Sequence, residues 1–293
     1  MALLVFLCLL WGVQQITVKL AIAQGIPPLQ LAALRSAVAA ACLTGWIGLR
    51  DGRHGLRAMV RRDSTVVPGT LLAVAFAAEF MALNLGLRLT TASRAVLFLY
   101  TAPFFVAAGA HVFVPGERLR PWPTLGLALA FGGVGVSFLD GLQRPGGSLA
   151  GDALCIFAAA LYAVTTIMVK AVGALSRTSA SRLLLYQLAG SAPLLMAASL
   201  AWGEPPSWPH ATALAWAAVF YQSVVVAFAS YLAWFWLVLN YPANRISGFT
   251  FLVPVFGIAA GALLLHEPVG WPLLAGFAAI VAGLMLLNRP APG

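Results

Sequence analysis

The sequence is a succession of apolar runs, each long enough to cross a lipid bilayer, and that constrains it more than anything else it contains. A helix needs about 20 apolar residues to span the hydrocarbon. Such runs lie at 3–23, 28–49, 66–87, 91–114, 121–139, 151–172, 180–202, 211–238, 243–265 and 269–288. They lack the alternation of a barrel strand, and backbone groups in lipid must be bonded within the segment, so the runs predict helices. Pro27-Pro28, Pro115-Gly116, Pro145-Gly146-Gly147, Pro205-Pro206 and Pro268 supply the breaks. Only 9% of residues are charged and 61% are hydrophobic, against ~25% and ~45–50% in a soluble domain. Ten spans would use ~200 residues and leave no stretch for a soluble module of ~100, which excludes an appended ATPase or sensor domain.

The basic residues report sidedness. The connections after even-numbered spans hold Arg50, Arg53, Arg57, Arg61, Arg62, Arg118, Arg120, Lys170, Arg177, Arg182 and Arg245, and Arg289 follows the last span. The opposite set is Lys19, Arg88, Arg94 and Arg144, with Arg35 inside a span. Positive charge collects on the cytoplasmic side, so both termini are expected there. The net charge of +9 is therefore membrane sidedness and implies no nucleic-acid partner. Cys8, Cys42 and Cys155 all fall in apolar stretches and read as small buried side chains. With no basic segment ahead of the first run and no small-x-small cleavage site, 3–23 reads as a membrane helix and not as a removable signal.

The chain repeats itself. Ala92-Ser93-Arg94, with Pro103 nine residues beyond Arg94, matches Ala243-Asn244-Arg245 with Pro254 nine beyond Arg245. Each copy goes on to a Glu (Glu117, Glu267), then to Gly126 and Gly133 in one half and Gly276 and Gly283 in the other. Trp11 precedes Lys19 by eight residues, as Tyr162 precedes Lys170. Five spans per copy is an odd number, so the second copy enters from the other side of the membrane. The expected fold is all-α integral membrane: ten transmembrane helices as two inverted five-helix repeats, residues 1–144 and 145–293. Inverted repeats meeting near the midplane are a signature of secondary transporters.

Trp11-Gly12 in the first span, the segment TTASRAVLFLYTAPFFVAAGAHVFVPGERL and its weaker echo NYPANRISGFTFLVPVFGIAAGALLLHEPV resemble the EamA-type members of the drug/metabolite transporter superfamily across essentially the whole chain. That resemblance implies a ten-helix carrier of the bacterial inner membrane, often an exporter of amino acids or other small metabolites. It implies a cavity lined by helices 1, 3, 4, 6, 8 and 9, with 5 and 10 as supports. It names no substrate.

Candidate residues follow from polar groups in apolar helices. Trp11, Gln15 and Lys19, spaced i, i+4, i+8, share a face of the first helix, with Gln14 beside them. Tyr162 and Thr166 hold the matching face of the sixth. Such stripes avoid lipid because Gln and Lys are costly to desolvate, so they are expected either to line the cavity or to bond a neighbouring helix. Tyr100 and Tyr231 stand mid-span with hydroxyls that need partners, and are expected at the cavity too. Glu79 is the acid deep within a span. By helical rise Glu79, Arg35 and Lys19 fall in the outer third of a core ~30 Å thick. There they form a charged cluster, with Glu79 serving either as Arg35's structural partner or as a proton-coupling carboxylate. Arg94 and Arg245 start helices 4 and 9, where they either gate the cavity mouths or bond carbonyls at neighbouring helix ends. Pro103 and Pro254 are expected to bend equivalent helices.

No GxxxxGK[ST] loop, GxSxG elbow or HExxH pair occurs, and His54, His111, His210 and His266 are scattered without ligand spacing. The expected activity is secondary active transport of a small molecule by alternating access, either coupled to protons through Glu79 or independent of them, with no catalytic residues, metal or cofactor. The rivals are a passive channel, a lipid or glycolipid translocator and, last, a membrane enzyme.

Overall fold

The computed structural model describes residues 2–114, 121–143, 148–205, 208–240 and 252–287. All the regular structure among them is helical. In chain order the helices are α1 (Ala2–Ala23), α2 (Pro28–Met59), α3 (Val66–Leu89), α4 (Ala92–Leu99), α5 (Ala102–Phe113), α6 (Pro121–Gln143), α7 (Leu149–Ala171), α8 (Gly173–Ser176), α9 (Ala180–Ala201), α10 (Ala213–Phe220), α11 (Tyr231–Asn240), α12 (Leu252–Leu264) and α13 (Trp271–Leu287). A wide π-type segment, Tyr221–Ser230, joins α10 to α11.

Seven stretches among the described residues are long and apolar enough to cross a membrane: α1, α2, α3, α4 with α5, α7, α9, and the run from Ala213 to Trp234. Three shorter apolar helices, Thr124–Ser137, Leu252–Leu264 and Trp271–Leu286, accompany them. At most 50% of any long span is buried by other helices. The outer surface is therefore apolar, with Leu49, Val112, Leu263 and Trp271 exposed, as a lipid-facing surface must be.

The ends of the helices are set by local chemistry. Thr91, Ser148, Ser179 and Thr212 each accept a backbone N–H with the side-chain oxygen, and so begin α4, α7, α9 and α10. Two sequence expectations need correction. The run 91–114 is two helices, not one bent helix. Pro103 lacks the N–H that would bond the carbonyl of Leu99, and Thr101 turns its hydroxyl onto the Phe98 carbonyl at 2.6 Å, so the ladder stops at Tyr100. The run 211–238 is interrupted by the π-type segment. The second run ends close to where expected: the helix from Pro28 breaks at Gly52, whose φ of 61° is open to glycine, and a short helix then continues to Met59. Pro254 sits in the first turn of α12 as described. Arg245, Glu117, Arg118, Arg144, Arg289, Phe249 and Phe251 lie outside the described residues.

Small residues let the helices touch. A Cβ added to Gly12 would lie 2.7 Å from the Phe256 Cβ and 2.8 Å from the Val253 carbonyl oxygen, so α1 and α12 meet backbone to backbone. On α6 and α13, a Cβ at Gly133 would come within 2.7 Å of the Gly276 carbonyl, and one at Gly283 within 2.5 Å of the Gly126 carbonyl. The four glycines marked out by the repeat thus pair with one another across an antiparallel contact.

Candidate functional site

Helix α1 is joined to the segment Tyr221–Trp234 by polar and aromatic contacts. The Trp11 indole N–H donates to Ser230 Oγ at 2.8 Å. Its ring meets Trp234 and Tyr231 edge-on, with centroids 5.2 and 6.4 Å away. The Tyr221 hydroxyl donates to the Leu10 carbonyl at 2.7 Å, and Gln222 Nε2 donates to the Gln14 carbonyl and to Thr17 Oγ1, both at 2.6 Å. Tyr162 of α7 lies within electrostatic range of Tyr231 and Glu79, and Tyr100 within range of Tyr162. Tyr162 keeps 47% of its surface accessible. Trp11 thus meets Tyr231, Tyr231 lies within range of Tyr162, and Tyr162 within range of Tyr100. Thr166 stands beside Tyr162: its hydroxyl donates to the Tyr162 carbonyl at 2.9 Å and lies within hydrogen-bonding reach of the Tyr162 hydroxyl.

A second group lies deeper. Gln15, Arg35, Glu79, Asn84 and Gln222 are all buried, none more than 4% exposed. They come from α1, α2, α3 and the π-type segment. The helix ends nearest them gather on one face. There Thr212 donates to Gln24 at 2.9 Å, Lys19 donates to Thr90 at 2.5 Å, and Ile22, Pro28, Arg88 and Glu204 border a surface cleft of about 400 Å³. At ~1.5 Å per residue the five side chains stand roughly 7–15 Å in from those ends, a level about 8 Å deep on which Glu79 and Asn84, five residues apart on α3, hold different faces of their helix.

Their hydrogen-bonding capacity is largely unspent. Nε, Nη1 and Nη2 of Arg35 have no hydrogen-bond partner, nor do Glu79 Oε2, Gln15 Oε1, Asn84 Oδ1 and Gln222 Oε1. The Arg35 guanidinium lies over the Phe80 ring at 4.3 Å. Its charge reaches Glu79, but the two form no hydrogen-bonded pair, so a closed structural Glu79–Arg35 pair is absent. Buried polar groups are ordinarily satisfied, and each unsatisfied one costs about 1–3 kcal/mol. Five side chains of this level are left incomplete by the protein itself.

The third member of the expected charged cluster lies elsewhere. Besides its bond to the Thr90 carbonyl, Lys19 Nζ stands 4.0 Å from Glu267 Oε1, eight residues along α1 from Trp11. Glu267 accepts the Ala92 and Ser93 N–H groups at 2.6 and 2.9 Å and the Ser93 hydroxyl at 2.7 Å. It caps α4 from across the chain, where a carboxylate also complements the helix dipole. Glu204 does the same for α2, taking Leu29 N–H at 3.2 Å and Gln30 N–H at 3.3 Å. Arg94 is ion-paired to Asp152, Nη2 to Oδ2 at 2.5 Å and Nε to both oxygens at 3.1 Å. It also gives Nη2 to the Ser137 carbonyl at 2.7 Å. Arg94 does bond a carbonyl, but one inside α6, six residues before its end, and the acid is its main partner. On the opposite face Arg182 holds Asp63 at 2.7 Å, with Thr65 donating to the same carboxylate. These hydrogen bonds, Arg182 first, keep the Asp63 carboxyl well below the usual carboxylate range.

Asp152, Glu204, Asn84 and Gln222 were missed from the sequence. Asp152 follows a capping serine and passes for an ordinary first-turn acid. Glu204 sits in a Gly-Glu-Pro connection that looks like a solvated turn. Polarity inside an apolar run was the signal available for Asn84 and Gln222.

The whole-chain comparison agrees with this architecture. The model of the EamA-like transporter family matches residues 1–139 and 149–289. The chain belongs to that family. It is therefore a multi-span membrane transporter. An uncharacterized transporter of Bacillus subtilis (strain 168), YvbV, is 29% identical over 288 residues, covering 98% of this chain and 90% of the relative. A probable amino-acid metabolite efflux pump of Escherichia coli (strain K12) is 28% identical over 283 residues, covering 94% and 90%. A crystal structure 23% identical in sequence superposes with a TM-score of 0.63 over 98% of this chain and 96% of that one, a likeness of fold alone.

Proposed function

We propose that this transporter exports a small amphipathic metabolite of the amino-acid type across the bacterial cytoplasmic membrane by alternating access, with Glu79 as a proton-coupling carboxylate. The observation that carries this reading is the buried level of unpartnered polar side chains around Arg35 and Glu79. Beside it stands the aromatic group of Trp11, Tyr100, Tyr162 and Tyr231. A solute with an apolar body and a polar head meets both halves of such a site. The direction of transport follows the relatives named as amino-acid metabolite efflux pumps.

Alternating access requires two equivalent bodies, here residues 1–144 and 145–293 as inverted five-helix repeats with both termini cytoplasmic. The packing supports this. In the repeat, α1 corresponds to α7, α2 to α9, α3 to the run from α10 to α11, α5 to α12, and α6 to α13. Exchange these partners and the contacts are kept. The pairs α1–α12 and α5–α7 change places, as do α3–α9 and the contact of α2 with the π-type segment, while α2–α9 and α6–α13 map onto themselves. The Gly133–Gly276 contact likewise becomes Gly126–Gly283.

Reconstituted protein is expected to show saturable flux and counterflow of its cargo. Linear flux without counterflow would identify a channel and end the carrier reading. Glu79→Gln is expected to abolish the dependence of transport on a pH gradient while leaving cargo exchange intact. A wild-type dependence in that variant removes Glu79 from coupling.

A further inference from the structure

Arg35 is the one cation at the buried level, and the protein gives its guanidinium no hydrogen-bond acceptor among the described residues. One face rests on Phe80 at 4.3 Å, and all three nitrogens are left unbonded. A guanidinium is a planar fork with paired N–H groups along its edges, and stacking on an aromatic ring fixes the plane without using those edges. The ligand that fits such an edge is a planar oxyanion taken up by two parallel hydrogen bonds.

The rest of the level narrows the choice. The other unpartnered atoms, Gln15 Oε1, Glu79 Oε2, Asn84 Oδ1 and Gln222 Oε1, are all oxygens. They call for N–H or O–H groups, and Glu79 adds an anionic oxygen when ionised. A phosphate dianion would satisfy Arg35 but bring only more oxygens, and more negative charge, toward these acceptors. A halide would leave the fork geometry unused. A single carboxylate carried beside an amine or amide N–H matches both sets at once.

We infer that Arg35 is the anchor for a cargo carboxylate: the site selects small solutes that bear one carboxylate and a neighbouring N–H group, with the carboxylate on the Arg35 fork and the N–H turned to the oxygens of Gln15 and Glu79. This deepens the transport reading and rests on it for the word cargo, although the binding step is separable from transport. Arg35 then discriminates acids from their neutral amides, because the amide offers one acceptor oxygen and no charge. Charge-assisted bonds of this kind make the acid bind roughly 10- to 100-fold tighter than its amide.

The test uses the purified full-length protein and thermal-shift titrations with acetate, glycine, leucine and tryptophan, each beside its carboxamide, since a ligand that binds the folded state raises apparent stability by mass action. At least one acid carrying an N–H group is expected to stabilise the wild type at concentrations where its amide does not. Arg35→Gln is expected to weaken that binding by the same 10- to 100-fold. Arg35→Lys, which keeps the charge but loses the fork, is expected to fall between and serves if the Gln variant does not fold. No preference for any acid over its amide overturns the assignment, and so does a preference that survives intact in either variant. Counterflow of a neutral or cationic solute with no acid preference would leave transport standing and remove Arg35 as anchor. Acid-selective binding without counterflow would do the reverse.

Discussion

The Arg94–Asp152 pair offers the sharpest test of how this bundle is held together. Asp152 is fully buried and Arg94 is 4% exposed. Three nitrogen–oxygen contacts of 2.5–3.1 Å join them, the Thr90 hydroxyl donates to Asp152 at 2.6 Å, and the Ser137 carbonyl accepts from Arg94 at 2.7 Å. One interaction therefore draws together the ends of α3, α4 and α7 and the body of α6. Removing either charge alone leaves the other buried and uncompensated, which costs about 3–5 kcal/mol. Removing both also removes that penalty. Asp152→Asn and Arg94→Met are each expected to destabilise by about 3–5 kcal/mol, and the double variant by little more than either alone, so that the coupling nearly equals one single effect. The assay is reversible unfolding by denaturing detergent in mixed micelles, comparing midpoints at constant slope. If the two single effects add to within ~0.5 kcal/mol in the double variant, the groups act independently and the reasoning from geometry to energy fails.

Three further outcomes follow from other contacts. Gly133→Val should destabilise by about 1–3 kcal/mol through overpacking, since even its Cβ would sit 2.7 Å from the Gly276 carbonyl and 2.8 Å from the Ala279 Cβ; unchanged stability would show that α6 and α13 are not pressed together. Hydrogen bonds from Arg182 and Thr65 lower the folded-state pKa of Asp63, so its stabilising contribution is complete above the unfolded carboxylate pKa of ~3.9 and is lost as pH falls below that toward the depressed folded value. The gap in melting temperature between wild type and Asp63→Asn should therefore be constant from neutral pH down to about 4 and shrink below it, and a gap as wide at pH ~2.5 as at neutrality would contradict the pairing. Trp11→Phe keeps a ring against Trp234 but deletes the donor to Ser230, so it should cost about 0.5–1.5 kcal/mol in the same unfolding assay, and no loss would mean that Ser230 is satisfied otherwise.

Much of this architecture is legible in the sequence because the bilayer imposes so few solutions. The apolar runs give helix order, and the basic residues sort the helix ends. The reading weakens wherever a property is local to a few atoms. Hydropathy is indifferent to whether 91–114 is one helix or two, because the break depends on one missing N–H at Pro103 and one hydroxyl at Thr101. It is equally indifferent to the π-type segment. The aromatic group was legible because Trp11 and Gln15 share a helix face and Tyr100, Tyr162 and Tyr231 are polar-tipped residues at mid-span. Lys19 was misjudged by depth alone: it shares that face, but two further turns carry it ~12 Å from Trp11 to the helix end, where carbonyls and Glu267 wait. Glu204 and Glu267 act 174 or 175 residues away in sequence, on backbone N–H groups. No periodicity encodes a partner at that distance.

Helix α1 is where the parts of the proposed cycle meet. Along one helix it carries Trp11 against Ser230 and Trp234, Gln15 at the buried polar level, and Lys19 at the Thr90–Glu267 contact. Gly12 brings its backbone against α12 near Val253 and Gly257, a close contact through which α1 and α12 travel together in the proposed cycle. Glu267, just beyond α12, caps α4 and faces Lys19 of α1. An opening of that face must therefore either break the Glu267 cap on α4 or carry α4 along with α1 and α12. Loss of the cap strands two backbone N–H groups and a hydroxyl at once, whereas carrying α4 along bends the chain where it is already broken, at Tyr100 and Thr101. The second route leaves fewer polar groups without partners, which makes the break in the 91–114 span the natural hinge of an alternating-access motion.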